Sequence, residues 1–227
     1  MKLKELFSRL SYGELSNLAI GMEGAGDIRQ EDKMKVLSHV NDALLAIYSR
    51  FILSTKYLLV EQVDHITNYH LIPKYAESQN CVDYPYIKDL AGEEFTGDLI
   101  RILEVHRDNG CEYVLNDKDN PHSLFTPYPQ TLQVPFPITG VPMHLMYQAR
   151  HDPITEPLDD ACIEVPFVLE SALQAYVAHK IFSHMNGQDN MVKSQDHLAT
   201  YEGKCMEVEA KDLVSTTFAT SFPGVLS

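Results

Sequence analysis

The chain has 227 residues, 44% of them hydrophobic and 22% charged, which suits one substantial globular domain or a core with an inserted subdomain. Its net charge of −14, from 32 acidic and 18 basic residues, argues against a protein that grips nucleic acid, because such proteins neutralise phosphates with Lys and Arg. No apolar run approaches the roughly 20 residues of a membrane-spanning helix, and the N-terminal segment lacks the apolar stretch of a signal peptide. We therefore expect no membrane partner and synthesis in the cytoplasm.

Helices are predicted for the N-terminal part of the chain. Residues 3–21 form a short helix or two half-helices, and residues 30–52 form the strongest helix of this half. In the second helix, apolar residues recur every three or four positions along one broad stripe: Val36, Leu37, Val40, Ala43, Leu44, Ile47, Tyr48 and Phe51. The glycine-rich segment 21–27 between them lacks the G-K-[ST] of a phosphate-binding loop, so we expect no phosphate site there.

Strands are predicted for the middle of the chain. Residues 54–72 are rich in strand-favouring side chains and form one strand or a hairpin, and a short helix or loop follows around residues 74–78. Nine prolines then punctuate residues 83–164, with short strands between them at 99–106, 111–115, 131–135 and 144–149. The Asn109-Gly110 pair predicts a tight hairpin turn between the first two of these strands.

A helical hairpin is predicted for residues 165–214. Its first arm starts at Pro166, a residue tolerated in a first helical turn, and is nearly apolar, so we expect it to be buried. Asn186-Gly187 suits a left-handed cap and a tight turn. The second arm, from Asp189 to about Val214, is amphipathic.

The last segment, residues 215–227, has no charge and no regular period. Phe218, Phe222, Val225 and Leu226 would each gain about 1.5–3 kcal/mol from burial. The sequence leaves two alternatives open: an arm that docks on a neighbouring subunit, or a segment that folds back on its own domain.

The sequence contains none of the common catalytic or metal-binding motifs that we searched for, including G-x-S-x-G, H-E-x-x-H and an EF-hand loop. The four cysteines are too far apart for a C-x-x-C pair, and we expect all four to be buried thiols. His151 and Cys162 are the one pair that resembles a base and a nucleophile, on proximity in sequence alone. His179 and His184 lie about 140° apart around a helix, so they do not share a face.

Paired carboxylates at Glu93-Glu94 and Asp159-Asp160 lie in polar loops, where solvation explains them. We therefore predict a protein that is not an enzyme and that holds no cofactor or metal.

The hairpin carries a resemblance to a known family. A proline-led P-x-x-x-x-x-A-x-x-x-Y-x-A-x-K helix, an N-G turn and a long charged helix with a tyrosine resemble the C-terminal part of tailed-bacteriophage head-to-tail connector (adaptor, or head completion) proteins. The matching residues are Pro166, Ala172, Tyr176, Ala178, Lys180, Asn186, Gly187 and Tyr201. The resemblance is clearest over the last quarter of the chain. The early helix that ends in A-L-L-A-I-Y-S-R adds weaker support.

The resemblance implies a virion structural protein at the head–tail neck. Such proteins form a homo-oligomeric ring, typically a dodecamer, between the portal protein and the tail or nozzle protein, and genome DNA passes through without specific binding. Tyr201, Phe218 and Phe222 would contact the portal or a neighbouring subunit, and Tyr128 with Pro129 would contact the tail side. An acidic surface suits a channel through which DNA slips, although it suits many other proteins equally.

The expected fold is α+β, with a mainly helical core, an inserted small β-rich subdomain and an extended C-terminal tail. The predicted divisions are residues 1–72, 73–164, 165–214 and 215–227. A minimal connector is a plain helical bundle, so the β-rich insertion departs from the family pattern. Two alternatives stay open: a non-viral soluble protein–protein adaptor, and a hydrolase with an unrecognised site.

Overall fold

A computed structural model describes residues 1–16, 27–79, 81–90 and 94–214 of the chain. The fold is α+β, with four α-helices and two antiparallel sheets in the described residues. The helices are α1 Leu3–Tyr12, α2 Gln30–Arg50, α3 Glu170–Ser183 and α4 Gln188–Ala210. The strands are β1 Thr55–Glu61, β2 Asn68–His70, β3 Ile87–Lys88, β4 Leu99–Arg107, β5 Phe125–Tyr128, β6 Thr131–Gln133 and β7 Pro142–Ala149.

The described residues divide into two compact units. The helical unit comprises Met1–Phe51 and residues 151–214, and the β unit comprises Ile52–Arg150. These divisions differ from the predicted ones at residues 72 and 164. Residues 55–61 belong to the β unit because β1 pairs with both β3 and β7. Residues 159–163 belong to the helical unit because they bond to the N-terminus, where the Leu3 N–H donates to the Ala161 carbonyl.

The helical unit is built around α3, as the apolar first arm of the hairpin predicts. Its buried residues point in several directions around the helix: Ala172, Leu173, Ala175, Val177, Ala178, Ile181 and Phe182. Helices α1, α2 and α4 all contact α3. The apolar stripe of α2 is buried along its whole length, so the prediction of a helix at residues 30–52 is confirmed to within two residues. Gly187 adopts φ +114° at the N-cap of α4, so the predicted turn is present at Asn186-Gly187. The predicted left-handed cap is not, because α3 is capped by His184 in a right-handed conformation.

The β unit has a hydrophobic core of its own. Its four-stranded sheet has the order β3-β1-β7-β4, and its three-stranded sheet has the order β2-β6-β5. Buried side chains of both sheets contribute to one cluster, among them Val60, Tyr69, Val105, Leu132 and Leu145. The sheets are therefore more substantial than the small inserted subdomain that the sequence predicts.

Three strand predictions need correction or addition. Residues 111–115 form isolated bridges instead of a strand, because Glu112 pairs with His106 whereas Leu115 pairs with Leu124. The turn before them is formed as predicted, with Gly110 at φ +79°. Strands β3 and β5 were not predicted, and β5 tolerates Pro127 because it lies at the edge of its sheet. None of the described helices is long and apolar enough to cross a bilayer.

Candidate functional site

Helix α4 is covered on one side only. Its inner face packs on α3 through Tyr201, Cys205 and Val208, which are buried, and through the Ser194 hydroxyl, which bonds to the His179 carbonyl at 3.2 Å. The outer face of α4 meets solvent. The hairpin thus places a long, half-covered helix on the surface of the helical unit.

Tyr201 lies on the inner face of α4, away from the surface. It is 4% exposed, and its ring packs edge-on against Tyr176 with the ring centroids 4.9 Å apart. Burial raises the pKa of its hydroxyl above the usual range. In this chain Tyr201 stabilises the hairpin, so a portal or neighbour contact by this helix would use its outer residues.

An arginine ties the end of α2 to α4. The Arg50 guanidinium donates to both carboxylate oxygens of Glu209, at 2.6 and 3.0 Å, and to Glu202 at 2.6 Å. This forked geometry is one that a lysine cannot reproduce. Arg50 therefore fixes the position of α4 within the helical unit.

The outer face of α4 carries an uncharged row of residues. Its six members are spaced by three or four positions, which places them on one side of the helix. All six are exposed: Val192, Gln195, Ala199, Gly203, Met206 and Ala210. We call this row the α4 stripe. Val192 is 50% exposed and Met206 is 58% exposed, which leaves apolar surface in water over about five turns of helix.

Gly203 lies at the middle of the α4 stripe. A glycine inside a helix costs about 0.8–1.0 kcal/mol relative to alanine. A Cβ atom built on Gly203 meets nothing within 4 Å, so no close contact among the described residues requires a glycine there. It leaves a shallow notch in the stripe where another chain could approach the helix backbone closely.

Helix α4 ends in a Schellman motif. Asp212 adopts the left-handed conformation, with φ +48°, and the Leu213 N–H donates to the Val208 carbonyl at 3.1 Å. Residues 215–227, with the predicted contact residues Phe218 and Phe222, lie outside the described part of the chain.

Tyr128 and Pro129 lie at the turn between β5 and β6, and both are exposed. Tyr128 is 70% exposed and borders an open cavity of about 360 Å³ together with His70, Ile72 and Ile100. A residue must be exposed to contact another protein, and both residues are. Their contact with the tail side stays a prediction. A second exposed apolar pair, Phe136 and Ile138, was not predicted.

The residues examined for catalysis do not assemble into a nucleophile and its base. His151 uses both ring nitrogens on backbone groups, with Nδ1 2.6 Å from the Asp152 carbonyl and Nε2 3.3 Å from the Glu164 nitrogen. Cys162 Sγ lies 3.9 Å from the Asp160 carbonyl. The neighbouring pair Asp159-Asp160 forms ion pairs with lysines. Glu93 lies outside the described residues.

The histidines of the hairpin serve to join helices. His179 bonds to Ser194 on α4, whereas the His184 ring lies 5.1 Å from His39 on α2, so the two face different helices as predicted. Within the described residues, no group of three or more His, Cys, Asp or Glu side chains could hold a metal ion. The prediction that all four cysteines are buried is wrong, because only Cys205 is buried. The others lie on turns and loops, where no packing surrounds the thiol.

A cavity of about 850 Å³ lies in the β unit. On its wall the Asp98 carboxylate, 1% exposed, accepts hydrogen bonds from Lys56 at 2.6 Å and from the Tyr147 hydroxyl at 2.9 Å. These groups come together through strand pairing across 42 residues or more of sequence, so no local motif could reveal them. The carboxylate is satisfied by these two partners, which indicates a structural ion pair.

No protein-family model and no curated protein matches the sequence.

Proposed function

We propose that the chain is a virion structural protein, a head-to-tail connector whose copies form a ring between the portal and the tail of a tailed virus. The observation that carries the proposal is the α4 stripe, an uncharged and partly apolar helix face that the described residues leave in solvent. Such a face gains free energy when a further protein surface covers it. The resemblance of the hairpin sequence to connector proteins, which form homo-oligomeric rings, supports another copy of the chain as the source of that surface.

A ring requires two different patches on each subunit, because its contacts are heterologous. The α4 stripe is one patch. In this proposal the helical units form the core of the ring, and the partner patch lies elsewhere on the neighbouring copy. The number of copies follows the resemblance, which implies twelve.

Charge and surface chemistry support the remaining parts of the proposal. The net charge of −14 disfavours binding to phosphates, which suits a channel that genome DNA passes through. The exposed turn with Tyr128 and Pro129 is the proposed contact with the tail or nozzle protein. The role needs no reaction, cofactor or metal.

The oligomeric state tests the ring directly. Purified full-length chain, alone and with its portal protein, is measured by mass photometry and negative-stain microscopy. We expect a species near twelve times the 25.7 kDa chain mass, with ring-shaped particles. Met206→Glu places a charge in the α4 stripe and should abolish this species. Thr200→Glu adds the same charge on another exposed face of α4 and should leave it intact.

A chain that stays monomeric in both preparations would contradict the ring. A non-viral adaptor that uses the same helix face would then be the better account, and Met206→Glu would impair binding of a different protein.

A further inference from the structure

We propose that the α4 stripe is the docking site for residues 215–227 of a neighbouring copy of this chain. The inference rests on the proposed ring and names the partner patch that the ring requires. It also gives a role to Phe218 and Phe222, the apolar residues that the sequence predicts to contact a neighbour or the portal.

Residues 215–227 and the α4 stripe match in charge, because both are uncharged. Residues 215–227 include no charged side chain, in a chain of which 22% is charged. The α4 stripe is also uncharged, and glutamates border it at positions 202, 207 and 209. These glutamates are already paired with Arg50, Lys204 and Lys211, so an uncharged segment can cover the stripe without breaking an ion pair or burying an unpaired charge.

The lengths agree as well. The stripe runs from Val192 to Ala210, which is about 27 Å at 1.5 Å per helical residue. Thirteen extended residues reach about 43 Å at 3.3 Å per residue. The segment can therefore cover the whole stripe and still leave several residues to span the gap between subunits.

Gly203 leaves a notch in the helix surface into which a docked segment could insert a side chain. Its missing side chain leaves an open notch at the centre of the stripe, and nothing described fills it. The exposed Met206 and Val192 side chains stand on either side of this notch along the helix. A bulky apolar side chain such as that of Phe222 would sit in the notch and contact Met206, whereas Val192, about 16 Å away along the helix, would contact another residue of the segment.

The end of α4 favours a neighbouring copy over the chain's own segment. The bond from the Leu213 N–H to the Val208 carbonyl directs the chain toward the Val208 side of the helix. Val208 is buried on the inner face, about 140–160° around the helix from Gly203 and Ala210. Because this last described bond lies on the side opposite to the stripe, the chain would have to wrap around its own helix to reach it.

Disulfide trapping in the full-length chain tests the inference. The exposed Cys81, Cys111 and Cys162 are first replaced by Ser. A chain carrying Gly203→Cys is mixed with a chain carrying Phe222→Cys and oxidised mildly, and the products are mapped by mass spectrometry. The matched control replaces Gly203→Cys by Lys204→Cys, an exposed neighbouring position that lies about 100° around the helix from Gly203. Mass photometry follows ring formation in the same samples.

We expect the 203–222 product to exceed the 204–222 product at least tenfold. Equal yields, or no product in samples that contain rings, would overturn the docking site and leave the ring intact. A single chain carrying both Gly203→Cys and Phe222→Cys provides the second measurement. Efficient intrachain closure under dilution to monomers would show that the segment folds back on its own helix, which also overturns the inference. Loss of rings from every sample, the unsubstituted chain included, would instead count against the proposed function.

Discussion

At the scale of single residues, Gly203 is a position where we expect helix stability and assembly to favour different side chains. Alanine has the higher helix propensity, and its Cβ meets nothing within 4 Å. We expect Gly203→Ala to raise the free energy of unfolding of the helical unit by about 0.5–1 kcal/mol in urea denaturation followed by circular dichroism.

The same substitution should weaken assembly, because the added methyl group fills part of the notch. Ala199→Gly is the reciprocal control, which should lower stability by a similar amount and leave the notch open. A Gly203→Ala chain that is more stable and assembles as well as the wild type would show that the notch has no role in docking.

His39 gives the helical unit a pH dependence. Burial, with a smaller contribution from the neighbouring His184, lowers its pKa from the ordinary value of 6.5. Asp42 opposes this shift and Lys180 adds to it. The unfolded chain therefore binds the proton more tightly than the folded chain, so stability is complete above pH 6.5 and falls as the pH drops from 6.5 toward the folded pKa.

We expect His39→Gln to flatten this part of the stability curve, measured by urea denaturation at several pH values between 7.5 and 5. His122→Gln, at an exposed loop position, serves as the control and should leave the slope of the wild type unchanged. An unaltered slope in His39→Gln would assign the pH dependence to other groups.

At the scale of elements, Arg50 determines how firmly α4 is held on the helical unit. Arg50→Lys keeps the positive charge but loses the planar guanidinium group that donates hydrogen bonds to Glu209 and Glu202 at the same time. Because both glutamates are partly exposed, we expect a moderate loss of about 1 kcal/mol, smaller at high salt. Lys35→Ala removes a single ion pair, between the exposed Lys35 and Asp32 one turn away on the same helix, and should cost less than half of that, as equilibrium unfolding would show.

The buried ion pair of the β unit should be more costly to break. Asp98→Ala leaves the Tyr147 hydroxyl without this acceptor and removes the partner of Lys56. Since Lys56 keeps access to solvent, we expect a loss of about 2–3 kcal/mol in place of the larger cost of a fully stranded charge. Asp64→Ala, at an exposed carboxylate of the same unit, is the matched control. Equal unfolding midpoints for the two variants would contradict a structural role for Asp98.

The elements that the sequence predicts well are those with a long internal pattern. Helix α2 repeats its apolar residues over about four turns, and the hairpin has an apolar arm and an Asn-Gly turn, so both can be predicted from local sequence. Strand β3 has two residues and is defined by its pairing with β1, which no local pattern contains. The predicted boundary at residue 72 differs from the observed one at residue 52 because β1 pairs with β3 and β7, which lie far along the chain.

The candidate site could be predicted only in part. The second arm of the hairpin was singled out, but Tyr201 faces inward, because the face that packs on α3 is decided by tertiary contacts. The α4 stripe mixes small, polar and apolar residues, so it stands out only once the buried face is known. Tyr128 lies in a proline-rich turn, where exposure is the ordinary outcome.

At the scale of the whole molecule, the two units have separate hydrophobic cores and the net charge is strongly negative. If the chain is a connector as proposed, the β unit is an elaboration on the plain helical bundle of a minimal connector. In the proposed function it supplies the Tyr128 and Pro129 turn for contact with the tail, while the helical units meet around the ring. Substitutions of that turn should therefore impair joining of tails and leave rings intact.

Removing residues 215–227 tests the arm at the same scale. We expect the shortened chain to fold, because the described helices end before this segment, and to lose attachment to its neighbours and to the portal. The check is co-sedimentation with purified portal. Assembly that is unimpaired without the segment would exclude Phe218 and Phe222 from these contacts.

The most direct test of the central proposal is the position of the chain in virus particles, measured by immunogold electron microscopy of purified particles before and after tails are sheared from heads. The account predicts gold at the head–tail neck, increased when shearing exposes the neck. Purified particles that contain none of this chain would contradict it.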